Sequence, residues 1–147
     1  MKIALGSDHA GYALKRKIKE FAEDLGHEIV DLGPYDEESV DYPDYAAKVA
    51  RAVRDGEFDR GILVCGTGLG MAIAANKVKG IRAVTCGDTF SARASREHND
   101  ANVLCLGARV IGEGLAMDIV ATWLESCFAG GRHKRRVDKI IELEEVM

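Results

Sequence analysis

The sequence predicts an open α/β domain with a parallel sheet, on three observations. Short apolar segments alternate with longer amphipathic ones along the whole chain, which is the rhythm of successive βαβ units. The short segments are almost unbroken runs of apolar residues, as strands covered on both faces require. The chain has 147 residues, 47% of them apolar, enough for one hydrophobic core. No repeat, linker or low-complexity stretch divides it, so residues 1–147 are expected to form a single domain.

Taken in order, "KIALG" (2–6) is the first strand. In "YALKRKIKEFAEDLG" (12–26), Leu14, Ile18, Phe21, Ala22 and Leu25 keep helical spacing, and Gly26 supplies the stop. "HEIVDLG" (27–33) is the second strand. Residues 34–45 are acidic and turn-rich, with Pro43 suited to a helix's first turn, and a helix follows over 46–56. "RGILVCG" (60–66) is the third strand, and a helix begins near Gly68. "GIRAVTCG" (80–87) is the fourth strand, followed by a polar helix over 89–99. "ANVLCLG" (101–107) is the fifth strand. Helices over 112–128 and 136–147 complete the chain, the first placing Leu115, Ile119, Val120, Trp123 and Leu124 on one side. The whole is a three-layer, Rossmann-like sandwich with a five-stranded parallel sheet.

Ligands of such sheets sit at the C-terminal ends of the strands, near a switch in strand order. The residues just past the strands are Ser7, Asp8 and His9; Cys65, Gly66, Thr67, Gly68 and Gly70; Gly87, Asp88 and Thr89; and Gly107 and Arg109. An acid, an imidazole, a thiol and a hydroxyl would share one edge with many free backbone amides.

Several familiar chemistries fail on spacing. "GSDHAG" and "GTGLG" both lack the G-x-G-x-x-G spacing of a dinucleotide loop, although Asp31 ends the second strand where a ribose-binding acid would lie. No arginine closes the loop after Cys65, as a cysteine phosphatase would need, and no Gly-Lys-Ser/Thr follows as in a Walker loop. None of the four cysteines forms a C-x-x-C pair, so zinc-finger and dithiol readings have no support. A formal net charge of -4 gives no general attraction to nucleic acid or anionic membrane. No apolar run approaches the ~20 residues of a membrane span, and the N-terminal apolar segment is short for a secretion signal, so a cytoplasmic location is expected.

Two readings of "CGTGLG" (65–70) remain. Cys65 is a buried strand residue before a tight turn, or it is a thiol held over backbone amides. At a helix N-terminus those amides favour thiolate and would hold an oxyanion. On the second reading an electrophile should label Cys65 ahead of Cys86, Cys105 and Cys127, the last expected within a helix. "GGRHKRR" (130–136) is the one dense basic cluster. Arg132 and Arg136 are four apart, share a helix face, and suit a small phosphorylated ligand better than a polymer. His98 is locally unremarkable, a histidine at a helix end beside Asn99.

The motifs "SDHAG" (7–11), "VDYPDYA" (40–46), "GILVCGTGLGMAIAANK" (61–77), "GIRA" (80–83), "SREHNDANVL" (95–104) and "GGRH" (130–133), with Arg136, occur in this order. Over essentially its whole length the chain resembles the type B ribose-5-phosphate isomerases and their relatives acting on allose or galactose phosphates. The resemblance implies an aldose–ketose isomerase with no metal or organic cofactor, interconverting ribose 5-phosphate and ribulose 5-phosphate through a cis-enediolate. It makes Cys65 the base, and Thr67 the hydroxyl near the reacting oxygens. Gly66, Gly68 and Gly70 then belong to the amide cradle. His98 and Asp8 serve ring opening, Asn99 contacts the reacting end, and Tyr42 lines the site. His9, Arg109, Arg132 and Arg136 bind phosphate. It further implies a homodimer with sites at the interface, some members pairing into tetramers. Residues near 98, 99 and 109 would then meet the Cys65 loop from the neighbouring chain, and the C-terminal helix is a candidate to pack on that neighbour. The alternatives are an isomerase preferring a six-carbon aldose phosphate and a non-catalytic sugar-phosphate-binding protein.

Overall fold

The computed structural model describes residues 1–146. Met147, expected to end the last helix, lies outside the described residues. Strands β1 (Lys2–Ser7), β2 (Glu28–Asp31), β3 (Arg60–Cys65), β4 (Ala83–Thr85) and β5 (Val103–Gly107) form one sheet in the order β2-β1-β3-β5-β4. Every pairing is parallel. The helices are α1 (Tyr12–Asp24), α2 (Tyr42–Arg54), α3 (Leu69–Ala75), α4 (Thr89–Glu97), α5 (Glu113–Glu125) and α6 (Arg132–Leu143).

Right-handed crossovers decide which face each helix covers. The steps β1 to β2 and β4 to β5 run one way along the sheet, and α1 and α4 lie with α5 on one face. The steps through α2 and α3 run the other way, and those helices cover the opposite face. Successive strand residues therefore enter different cores. Ile62, Val64, Leu104 and Leu106 pack under α1, α4 and α5, while Leu63, Cys65, Val103 and Cys105 pack under α2 and α3. This two-sided burial is why the strands read as unbroken apolar runs. The strand order reverses between β1 and β3, which puts the switch point beside Cys65.

Among the boundaries that differ from expectation, those of α2, β4, α6 and α5 have local reasons. Helix α2 starts at Tyr42 rather than 46, because Pro43 fits its first turn. Strand β4 keeps three residues of the expected 80–87. Gly80 turns with a φ of 87°, and the Asn102 side chain ties the Gly80 carbonyl and the Arg82 N–H into a loop. A short edge strand also leaves little unpaired backbone. Helix α6 starts at Arg132, after two positive-φ glycines, so the basic run lies inside the helix. Helix α5 stops at Glu125, where the Arg60 guanidinium donates to the Trp123, Leu124 and Ser126 carbonyls. A fixed cation there satisfies carbonyls that the helix end leaves open. Cys127 is thereby outside the helix and exposed, against expectation.

Lys15 is fully buried on α1 although the sequence offers it as one more polar helix residue. Its ammonium donates to the Pro34 carbonyl and pairs with Asp31 at 3.1 Å, fastening α1 to the segment after β2. Burial lowers its pKa, and the hydrogen bond and charge of Asp31 oppose that. Lys15→Met should cost about 3 kcal/mol, since it strands a carboxylate and a carbonyl without their partner. Urea denaturation measures this; an unchanged midpoint would mean water replaces the ammonium.

Candidate active site

The β1–α1 loop is pressed against β3. A methyl group on Gly11 would sit 2.3 Å from the Val64 carbonyl oxygen, so this position requires glycine. The Asp8 N–H donates to that same carbonyl at 3.2 Å, and the Asp8 carboxylate accepts the Gly11 N–H at 3.0 Å. Asp8 is thus held nearly buried at the end of β1, beside β3. The neighbouring ring of His9 accepts the Val40 N–H at Nδ1, 3.2 Å away. Nδ1 must then be unprotonated, which leaves Nε2–H to donate to a ligand.

Cys65 ends β3 with 5% exposure. Its Sγ accepts the Gly68 N–H at 3.1 Å. Gly68 has a φ of 79°, the left-handed region, and its carbonyl accepts the Thr85 hydroxyl at 2.8 Å. That conformation turns the chain sharply enough to aim its amide back at the sulfur. Thr67 is exposed, with Oγ1 accepting the Leu69 N–H. The end of β5 supports the loop. Ala108 N–H donates to the Cys65 carbonyl at 2.8 Å, and Arg109 N–H donates to the Gly66 carbonyl at 2.9 Å. Gly107 lies against the Thr67 backbone, where a methyl would meet the Thr67 carbonyl oxygen at 2.6 Å.

The loop glycines admit side chains from elsewhere. The Arg109 guanidinium lies over Gly66, 3.3 Å from where a Cβ would be, and the Tyr42 ring covers Gly70 at 2.5 Å. Arg109 therefore reaches the Cys65 loop within its own chain, which corrects the expectation that a neighbouring chain supplies it. Gly70→Ala should cost at least tenfold in kcat/KM, because the methyl must displace Tyr42 or the first turn of α3. A wild-type value for that variant would mean the ring moves aside freely.

The remaining residues lie elsewhere. Helix α4 runs back from the C-terminal edge of β4, so His98 and Asn99 sit at the opposite edge of the sheet. Arg82, just before β4, confirms this by donating from Nε to the carbonyls of Asn99 and Asp100. The His98 ring stacks on His133, with centroids 4.3 Å apart and planes 14° from parallel. His133 lies in the first turn of α6 with Arg132 and Arg136, both exposed. The residues expected to form the site thus fall into two groups at opposite ends of the strands. The first holds Asp8, His9, Tyr42, Cys65, Thr67, Arg109 and the loop glycines; the second holds His98, Asn99, Arg132 and Arg136. His133, which stacks on His98, is not among the residues expected from the sequence. It stands inside the "GGRH" motif, but its contact with His98 joins two distant stretches of sequence.

The other thiols differ in setting. Burial, ahead of smaller effects from Ser95 and Asp88, pushes Cys86 up to about 11. Burial also raises Cys105, with the charges of Cys65 and Cys86 adding to it. Both are poor nucleophiles for that reason. Among the described residues, no three His, Cys, Asp or Glu side chains group as a metal site would, and no helix is long and apolar enough to cross a membrane.

Fold and site together define a class: a Rossmann-like enzyme domain with a thiol, an imidazole and a carboxylate at the strand ends and a basic, histidine-bearing patch apart. Residues 3–140 match the family model described as Ribose/Galactose Isomerase. A solved structure titled Clostridium thermocellum Ribose-5-Phosphate Isomerase B superposes with a TM-score of 0.97 at 61% identity, covering 99% of this chain and 98% of that one. The Ribose-5-phosphate isomerase B of Escherichia coli (strain K12) is 51% identical over 144 residues, 98% of this chain and 97% of the relative. The D-erythrulose-4-phosphate isomerase of Pectobacterium atrosepticum is 47% identical over 142 residues, 95% of this chain and 93% of the relative. The chain belongs to the ribose/galactose isomerase family, and resembles its type B ribose-5-phosphate isomerases; it is an enzyme of the aldose–ketose isomerase class.

Proposed function

We propose that the enzyme interconverts ribose 5-phosphate and ribulose 5-phosphate through a cis-enediolate, with Cys65 as the base. The observation that carries this is the Gly68 N–H pointing at Cys65 Sγ from a glycine turn. A proton on carbon beside a carbonyl is very weakly acidic. Its removal needs a base and a fixed place for the oxyanion together, and this turn supplies both.

His9, Arg109, Arg132 and Arg136 bind the phosphate. His98 and Asp8 open the furanose. The C1–ring-oxygen bond breaks, the ring oxygen takes a proton from His98, and the O1 hydroxyl gives one up toward Asp8. Cys65 then removes the C2 proton, the C–H pair becomes the C1–C2 double bond, and the carbonyl pair moves onto O1. Amides of Gly66 to Gly70 hold the charge, with the Thr67 hydroxyl beside the oxygens and Asn99 and Tyr42 lining the site. The O2 hydroxyl then passes its proton to O1 by way of the Thr67 hydroxyl, the O2 pair forms the C2 carbonyl, and the C1–C2 double-bond pair takes the proton back from the Cys65 thiol at C1, which gives the ketose. His98 regains its proton from solvent and Asp8 releases to solvent the one it took, and the reading requires no metal or organic cofactor.

The reading includes a homodimer. Residues on opposite sheet edges cannot surround one sugar, so a second copy brings His98, Asn99, Arg132 and Arg136 to the Cys65 edge. Exposed apolar residues support it: Leu69 and Ile73 on α3, Phe90 on α4, and Ile140, Ile141 and Leu143 on α6. Helix α6 buries Val137 alone within its own chain, as suits a helix that packs on a partner. One undivided domain and a cytoplasmic location belong to the same reading.

The test is ribulose 5-phosphate formation in excess chelator. Turnover is expected; none, or strict dependence on added metal, overturns the assignment. The relative named for D-erythrulose 4-phosphate favours a second reading, a sugar phosphate of another length. Comparing kcat/KM for erythrulose 4-phosphate and for ribose, allose and galactose phosphates decides between them. Arg132→Ala and Arg136→Ala should each raise KM by roughly tenfold or more, the value of one charge-assisted hydrogen bond, with kcat less affected. Unchanged affinity for substrate and free phosphate would leave the basic turn of α6 a solvated helix start.

A further inference from the structure

We infer that His133 is a positioning residue for His98: the two stacked rings hold protons as one pair, and the pair's charge follows occupancy of the anion site beside it. This rests on the reading above, in which His98 opens the sugar ring and Arg132 and Arg136 take the phosphate.

The geometry carries the inference. With centroids 4.3 Å apart and planes nearly parallel, the rings are in face-to-face contact. Such a stack accommodates two neutral rings, or one neutral and one cationic ring. Two cationic rings at that distance repel strongly, so the second proton is resisted. The pair therefore titrates in two separated steps that belong to both residues.

The charges facing the pair set where those steps fall. Facing His133, helix α6 contributes Arg132 and Arg136, and α4 contributes the opposing carboxylate of Glu97. The segment between α5 and α6 closes the site with backbone, the Ala129 N–H donating to the Glu97 carbonyl at 3.0 Å. Lys134 is turned toward Asp138 at 2.8 Å, so its charge is matched locally. His133 is held below the usual imidazole range, first by lost hydration and then by His98, Arg132 and Arg136, with Glu97 working against them.

A phosphate dianion on Arg132 and Arg136 cancels the charge that those arginines present to the rings. The pair then takes up a proton from solvent, and it does so when a sugar has arrived whose ring oxygen needs one. Binding the substrate's phosphate thereby prepares the acid that serves its ring oxygen, a linkage that needs no movement of the chain.

The experiment follows the imidazole signals of His98 and His133 by NMR against pH, with and without inorganic phosphate. The proteins are the wild type, His133→Phe, which keeps a ring but no titrating nitrogen, and His133→Lys, which fixes a cation there. In the wild type, two-step titration is expected, with phosphate raising the first midpoint by about one pH unit. His133→Phe should reduce His98 to a single step, and His133→Lys should lower its midpoint by about one unit or more. With ribose 5-phosphate, the alkaline limb of kcat/KM should move down by the same amount in His133→Lys. One unchanged midpoint for His98 in all three proteins, or no response of either ring to phosphate, overturns the inference and leaves His133 a passive ring. The two claims fail separately. Coupled histidines in a protein that turns over no sugar phosphate remove the isomerase reading alone, and full turnover with uncoupled histidines removes the inference alone.

Discussion

Cys65→Ala is expected to abolish exchange of the substrate's C2 proton with solvent while the protein stays folded. The two halves of that expectation have different origins. Folding loses one sulfur from the core under α2 and α3 and one hydrogen bond from Gly68 N–H, each about 1 kcal/mol. A domain of this size survives that. On the proposed reading, chemistry loses its base, which is worth about 10²–10⁴ in rate. Cys65→Ser separates the roles further. Its hydroxyl can still accept the Gly68 N–H and so restores the turn, but it is far harder to deprotonate, so activity should remain very low. Near wild-type C2 exchange in Cys65→Ala would put the base elsewhere and leave the loop an anion cradle. Alkylation gives a second view, provided Cys127 is first replaced by serine. Cys127 is exposed while Cys65 is nearly covered, so the ordering expected from sequence, with Cys65 labelled first, does not hold without that change. Burial keeps Cys86 and Cys105 protonated and slow, and substrate or phosphate should protect Cys65.

What the sequence made legible was local. Unbroken apolar runs mark strands buried on both faces, and Gly26 and Gly56 mark helix ends, because the patterns and their causes occupy the same few residues. "CGTGLG" could be read as a cradle for the same reason: the Gly68 amide reaches a sulfur three residues away. Features set by distant partners stayed hidden. The end of α5 depends on Arg60, the burial of Lys15 depends on Asp31 and Pro34, and the orientation of His98 depends on His133. Arg109 was legible as a strand-end residue, but its side of the site was not, since only the β5 register shows it lying over Gly66 of the same chain. The basic run could be read as an anion site, yet its place at the far edge of the sheet follows from topology alone.

Mixing Cys65→Ala protein with His98→Ala protein is expected to restore activity that neither has by itself. On the proposed reading, each variant alone forms dimers in which both sites lack one essential group. In a mixed dimer, one site draws Cys65 and His98 from the two chains that keep them, and the other site lacks both. Random exchange makes about half the dimers mixed, with one intact site of two in each, so activity should approach about a quarter of wild type. The result discriminates because a site built within one chain gains nothing from mixing. The topology stands against that alternative: Cys65 ends β3 at one edge of the sheet, and His98 follows α4 at the other. On the proposed dimer, exchange needs the subunits to part and re-form, so the mixture should gain activity over time and faster after brief dilution. Full activity of a sedimenting monomer at assay concentration, or a mixture that stays inactive although subunit exchange is shown by mass, would place the complete site within one chain.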